Sequence, residues 1–200
     1  ITLLSRQIKL LREKVELEQS LGKSILTSIK SQMNPHFFYN ALNTIQAYIY
    51  MNDKENATGY LSKFSKLTRS VLEMSEKDEV LLSEEVYALK LYLDLEKMRF
   101  QEGFEYAIIT ESIDPENIKI PSMLIQPYVE NAIKHGISNL VKGGLIEIKC
   151  REGLQNELYI QVKNSGYLNP NSSKSKKEEG GHGIENTRQR LKLLYGESAS

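Results

Sequence analysis

Up to about residue 100 the apolar residues of this chain recur three and four apart, and beyond it stretches that alternate one by one are interleaved with helical ones. That change of period confines the fold to a helical part followed by mixed strands and helices, an α+β arrangement. Ile1, Leu4, Ile8, Leu11 and Val15 form a coiled-coil seam whose register fails at Glu18 and Gly22. Apolar residues resume at Leu21, Ile25, Leu26, Ile29 and Met33, and past Pro35 a new face is set by Phe38, Ala41, Leu42, Ile45, Tyr48 and Ile49. Proline cannot donate to the Ser31 carbonyl, so Pro35 either kinks one helix or, with Asn34 as cap, opens another. After a polar connector at 51–56, Ala57, Tyr60, Leu61, Phe64, Leu67 and Val71 repeat at helical spacing. Two such helices make an antiparallel hairpin whose apolar faces need more partners than one hairpin supplies. A homodimer with a four-helix bundle is therefore expected.

Ser83, Glu84 and Glu85 start a third helix that runs to about Phe100. Strands are predicted at 104–111, 145–152 and 157–164, and helices at 121–136 and 183–195. The stretch 167–181 is polar and rich in glycine and serine, which predicts a mobile loop. With 26 basic and 26 acidic residues the net charge is zero, so nothing favours direct binding to nucleic acid. Cys150 is the sole cysteine, which excludes an internal disulfide; alternation with Ile146 and Ile148 marks it as a buried thiol. No apolar run approaches the roughly 20 residues of a membrane span. The chain opens in helical phase without a methionine, as a piece of a longer protein would, and any membrane anchor is expected upstream.

Two places carry chemistry. His36, Asn40, Asn43 and Ala47 lie opposite the apolar face of their helix, so His36 is expected to face solvent. A neutral imidazole nitrogen is a competent nucleophile near pH 7, able to attack a γ-phosphate delivered by a separate domain. Taken alone, the same residue reads more readily as an incidental surface histidine. In 121–136, Ile125, Tyr128, Val129, Ala132 and Ile133 form an apolar arc, and Glu130, Asn131, Lys134 and His135 share the other side. The Asn131 carbonyl suits Mg²⁺, Lys134 and His135 suit phosphate oxygens, and Glu130 can polarise a metal-bound water. Gly181 and Gly183 precede a helix, where backbone amides and the helix dipole favour phosphate. The combination points to phosphoryl transfer from ATP to a histidine.

QMNPHFFYNALNTI at 32–45, FSKLTRSVL at 64–72, LSEEVYALKLYLDLEKMRF at 82–100, IPSMLIQPYVENAIKHG at 120–136 and GHGIENTRQRLKLLYG at 181–196 follow one another in order. On these segments the chain resembles the LytS-like sensor histidine kinases, whose transmitter pairs a histidine-bearing dimerisation hairpin with a GHKL-type (Bergerat) ATP-binding α/β sandwich. The resemblance implies a coiled-coil signalling helix at 1–24, a phosphotransfer hairpin at 25–80 and the ATP-binding domain at 81–200, ending short of further strands. It implies His36 as phosphoacceptor and Asn131 as Mg²⁺ ligand, with Glu130, Lys134 and His135 at the phosphates. Asn164 and Gly166 would lie at the adenine, Gly181, Gly183 and Asn186 at the phosphate end, and Asn40 would position water for dephosphorylation. The implied cofactors are ATP and Mg²⁺; the implied partner is a response regulator, commonly with a LytTR-type DNA-binding domain. The implied location is the cytoplasmic portion of an inner- or plasma-membrane protein, with a hinge around residues 75–82.

Two departures stand out. Asn164-Ser165-Gly166 replaces the Asp-x-Gly of many GHKL proteins, and Phe37 follows His36 where better-known histidine kinases have an acidic residue. Asn164 keeps a carbonyl acceptor for the adenine amino group but loses the charge. A degenerate nucleotide-sensing scaffold of the same fold and a GHKL ATPase are the alternative readings.

Overall fold

The computed structural model describes residues 35–101, 103–139, 143–153, 157–165 and 182–196. The coiled-coil seam, the 21–33 stripe, the choice between kink and break before Pro35, and the 167–181 loop lie outside them. So do Gly166 and Gly181. Among the described residues no helix is long and apolar enough to cross a membrane.

Helices α1 (Pro35–Tyr50) and α2 (Lys54–Ser75) form the hairpin. Its connector is shorter than the polar run suggested, because Asp53 caps α2 by accepting the Asn56 amide at 3.1 Å. Asn52 takes a left-handed φ of 56°, the conformation that closes α1 and that asparagine tolerates. From Glu79 the chain forms β1 (Glu79–Leu81) and then α3 (Leu82–Arg99). The Glu84 carboxylate turns back to accept the Leu81 amide at 2.8 Å, fixing where α3 begins.

Helix α3 is the centre of the molecule. Leu82, Ala88, Leu89, Leu91, Tyr92, Leu93 and Leu95 are buried over a little more than half of its circumference, while Tyr87 and Lys90 on the remaining face stay exposed. On one side it meets the hairpin, where Phe37, Phe38 and Phe64 gather about Tyr92. On the other lies the sheet of β2 (Phe104–Glu111), β4 (Gly144–Glu152) and β5 (Leu158–Asn164), in the order β2-β4-β5. Asp94 joins all three layers, accepting from the Lys63 ammonium on α2 and from the Tyr106 hydroxyl on β2 at 2.5 Å. Burial pushes its pKa up, but these two donors outweigh that and hold it below the usual carboxylate value.

Strands β2 and β4 are parallel, with Tyr106 opposite Ile146, whereas β4 and β5 are antiparallel, with Cys150 opposite Ile160. Ile146, Ile148 and Cys150 alternate inward, so the thiol is a core group as the sequence predicts. The parallel pair needs a crossover, and this one carries β3 (Lys119–Pro121), α4 (Gln126–Asn131), a π-helical turn (Ala132–Gly136) and a 3₁₀ turn (Ile137–Asn139). The predicted helix 121–136 is thus shortened at its start. Pro121 belongs to β3, which pairs antiparallel with β1, and the helical turn opens at Gln126 and Pro127 instead. Helix α5 (His182–Tyr195) lies against α4. The segment expected to hinge is fastened: β1 is paired, and the Ser122 amide donates to the Asp78 carbonyl at 3.1 Å.

Candidate functional site

His36 occupies the first turn of α1 with its side chain exposed, while the next residue, Phe37, is only 4% exposed. Burial of Phe37 anchors the helix and turns the imidazole outward. The Asn40 amide lies one helical turn away, with its Nδ2 3.1 Å from His36 Nδ1 and 3.4 Å from Nε2. Either end of that amide can face the ring. The nitrogen end donates to Nδ1, which then leaves the proton on Nε2. The oxygen end accepts Nδ1–H and leaves the lone pair on Nε2, the form able to attack an electrophile.

The second group of residues lies along α4 and its π turn. Asn131 is half-buried, and Lys134 and His135 are exposed. A π turn holds more residues per turn, so the side chains beyond Ala132 shift out of the register of the preceding α-helix. Glu130 is half-buried, as Asn131 is. Its carboxylate accepts from Gln126 Nε2 at 3.1 Å. Burial, with Glu96 nearby, pushes its pKa up to about 7, close to the value that suits a group exchanging protons at neutral pH.

Asn164 ends β5 beside this segment. A Cβ on Gly136 would stand 2.0 Å from the Asn164 Nδ2, so the strand end and the helix end approach this closely only through glycine. The fold thus sets Asn164 against Gly136 at the end of the π turn that carries Lys134 and His135, with Glu130 and Asn131 at the end of α4 just before it, and holds His36 with Asn40 on the hairpin. Gly183 and Asn186 lie on α5.

Sequence reasoning passed over two buried carboxylates. Glu85 Oε1 accepts the Ile125 amide at 2.5 Å and that of Gln126 at 3.4 Å, acting as an N-terminal cap for α4 from another helix. Glu96 is buried beside Tyr92, paired with Arg99 at 2.5 Å. Glu85, Leu89, Tyr92 and Glu96 fall at helical spacing on one stripe, a pattern visible in the sequence. In the sequence Glu85 reads only as part of the helix start, and Glu96 carries no assigned role.

Burial raises Glu85 to about 7, as it does Glu130, from an ordinary value of 4.5. The folded state then holds protons that the unfolded state has released between those values. Stability contributed by these groups is present in acid and is lost as pH rises through 7. The melting temperature is expected to fall between about pH 5 and 8. Glu85→Gln, which keeps the Oε1 acceptor, should flatten that slope; an unchanged profile in a calorimetric series would contradict it.

Comparison with known proteins places this geometry in a family. The histidine kinase family profile matches residues 24–104. Sensor histidine kinase YpdA of Escherichia coli K12 is 33% identical over 200 residues, covering 98% of this chain and 34% of the relative. The chain belongs to the histidine kinase family. More narrowly, it is LytS-like: the sensor histidine kinase/phosphatase LytS of Staphylococcus aureus MRSA252 is 32% identical over 183 residues, 88% of this chain and 31% of that protein. The chain spans about a third of the length of the curated relatives it matches. A histidine kinase domain from Erythrobacter litoralis, of a blue-light activated kinase, is 10% identical with a TM-score of 0.45, covering 78% of this chain and 85% of that one.

Proposed function

We propose that this chain is the transmitter region of a two-component sensor kinase, which moves the γ-phosphoryl group of Mg-ATP to His36 and from there to an aspartate of a response regulator. The observation that carries the reading is the exposed His36 ring on a helix anchored by buried Phe37, with the Asn40 amide against Nδ1. With its amide oxygen toward the ring, Asn40 accepts Nδ1–H, which puts the imidazole lone pair on Nε2, the nitrogen that attacks. The new Nε2–P bond forms as the γ-phosphorus–oxygen bond breaks, ADP leaves, and the Nδ1 proton stays where it was. Phe37 occupies the place where an acidic residue would serve as base, and this tautomer needs none for the attack itself.

Mg-ATP supplies the phosphoryl group and its charge neutralisation when bound. The donors fit it. Asn131 offers a half-buried amide oxygen, Lys134 and His135 are an exposed cation and imidazole, and Asn164 offers an amide at the base end. Among the described residues no group of three or more His, Cys, Asp or Glu gathers, so the ion would rest on the Asn131 amide, water and phosphate. Gly166, Gly181, Gly183 and Asn186 complete the assigned nucleotide contacts.

The division into a signalling coiled coil at 1–24, a phosphotransfer hairpin at 25–80 and a GHKL domain at 81–200 belongs to the same reading. So does a homodimer built on a four-helix bundle. Tyr39, Leu42, Ile49 and Tyr50 are exposed on α1, an apolar stripe of the kind a second hairpin covers. A LytTR-type regulator as partner and a position on the cytoplasmic side of a membrane follow from kinship with LytS. Dephosphorylation of the regulator, with Asn40 positioning water, accords with the kinase/phosphatase name of that relative.

Incubation with γ-labelled ATP and Mg²⁺ tests the assignment. Label that disappears in His36→Ala supports it, and label that persists overturns it. Bound nucleotide with no label at any concentration supports the scaffold alternative.

A further inference from the structure

Groups from three distant parts of the sequence meet where the hairpin ends. Met74 is in the last turn of α2, Asp78 is in the link to β1, Ser122 lies between β3 and α4, and Arg190 is on α5. The Ser122 hydroxyl donates to the Met74 carbonyl at 2.7 Å, and the Ser122 amide donates to the Asp78 carbonyl at 3.1 Å. The Arg190 guanidinium spans both partners, donating to the Ser122 carbonyl at 2.6 Å and to the Asp78 carbonyl at 3.1 Å. Ser122 and Met74 are buried, so the bond between them is shielded from competing water, whereas the Arg190 bond to Asp78 is exposed.

An arginine donating to two carbonyls of different segments is used for its shape. The planar fork holds two acceptors at a fixed separation, which a single ammonium does not. The next residue shows that the turn is held under load. Met123 has a φ of 56°, a left-handed conformation that is strained for a long side chain and persists only where its flanks are fixed. Ser122 is fixed on one side by the bonds above, and Ile125 on the other by the Glu85 carboxylate. Helix α4, which starts at this turn, carries Glu130 and Asn131, and α5, which carries Arg190, begins beside Gly183.

We infer that Arg190 is a positioning residue for phosphoryl transfer, fixing both nucleotide-facing helices, α4 and α5, to the end of the phosphoacceptor hairpin. This rests on the site assignment proposed above. Arg190 acts through main-chain carbonyls, so its loss is expected to leave nucleotide affinity in place and to slow the transfer to His36.

The test compares the unmodified protein with Arg190→Lys, which keeps the charge and loses the fork, and with Ser122→Ala. A fluorescent ATP analogue reads affinity, single-turnover labelling reads the rate at saturating ATP, and amide hydrogen exchange reads residues 75–81. Arg190→Lys should bind nucleotide within about twofold of the unmodified protein, with a labelling rate lower by about tenfold or more, as small misplacements of reacting groups produce. Exchange at 75–81 should rise. Ser122→Ala should shift rate and exchange in the same direction by less, and the double variant should be no slower than Arg190→Lys, because the two residues act on one joint. If Arg190→Lys does not fold, Ser122→Ala decides by the same readings. Unchanged exchange, or a defect confined to nucleotide affinity, overturns the inference. A labelled unmodified protein matched in rate by both variants sinks this inference alone; an unmodified protein that takes no label sinks the phosphoacceptor assignment and this inference with it.

Discussion

Phe37→Ala should destabilise the protein by about 3–5 kcal/mol, the usual cost of deleting a buried phenyl ring. Phe37 is 4% exposed, and its ring centroid lies 5.0 Å from that of Tyr92, 6.1 Å from Phe38 and 6.2 Å from Phe64. Those neighbours come from three helices, so their collapse into the space left behind is restricted and the cavity term stays large. The same residue turns His36 outward. The loss should therefore appear in two measurements: a lower denaturant midpoint, and slower labelling of the fraction that remains folded. A variant within about 1 kcal/mol of the unmodified protein would show that the hairpin does not rest on α3 as described.

Asn131→Ala should reduce Mg-ATP-dependent labelling by about a hundredfold or more, since a catalytic metal contributes several kcal/mol to stabilising transferred phosphate. Asn131 closes α4 with its side chain half-buried between Glu130, which is held inward by Gln126, and the exposed Lys134 and His135. An alanine there keeps the helix and removes the only amide oxygen on that turn. The hairpin packing is untouched, so thermal stability without nucleotide should change little. Retained labelling in Asn131→Ala, with Mg²⁺ still required, would move the metal assignment elsewhere.

Much of this arrangement is written in local pattern. Apolar spacing of three and four places α1, α2 and α3, and alternation places β2, β4 and β5, because those elements bury one face or stripe against a single core. The burial of Cys150 and the exposure of His36 follow from the same periodicity. The start of α4 does not. Pro121 reads as a helix opener until β1 pairs with β3 across some forty residues, and three-residue strands carry no periodic signal. Glu85 reads locally as an acidic residue favouring its own helix start, yet its carboxylate caps a helix forty residues further on. Arg190 and Ser122 belong to no apolar stripe at all. Their meeting is a property of the assembled layers, and only tertiary contact reveals it.

The central claim is that the exposed imidazole of His36 is where phosphate arrives. Mass-spectrometric mapping after incubation of the unmodified protein with Mg-ATP locates the phosphoryl group most directly. A phosphoryl group on the peptide containing His36, lost in acid and retained in base, is the predicted result. Phosphate found instead on a hydroxyl, or on His135 or His182, would contradict the account.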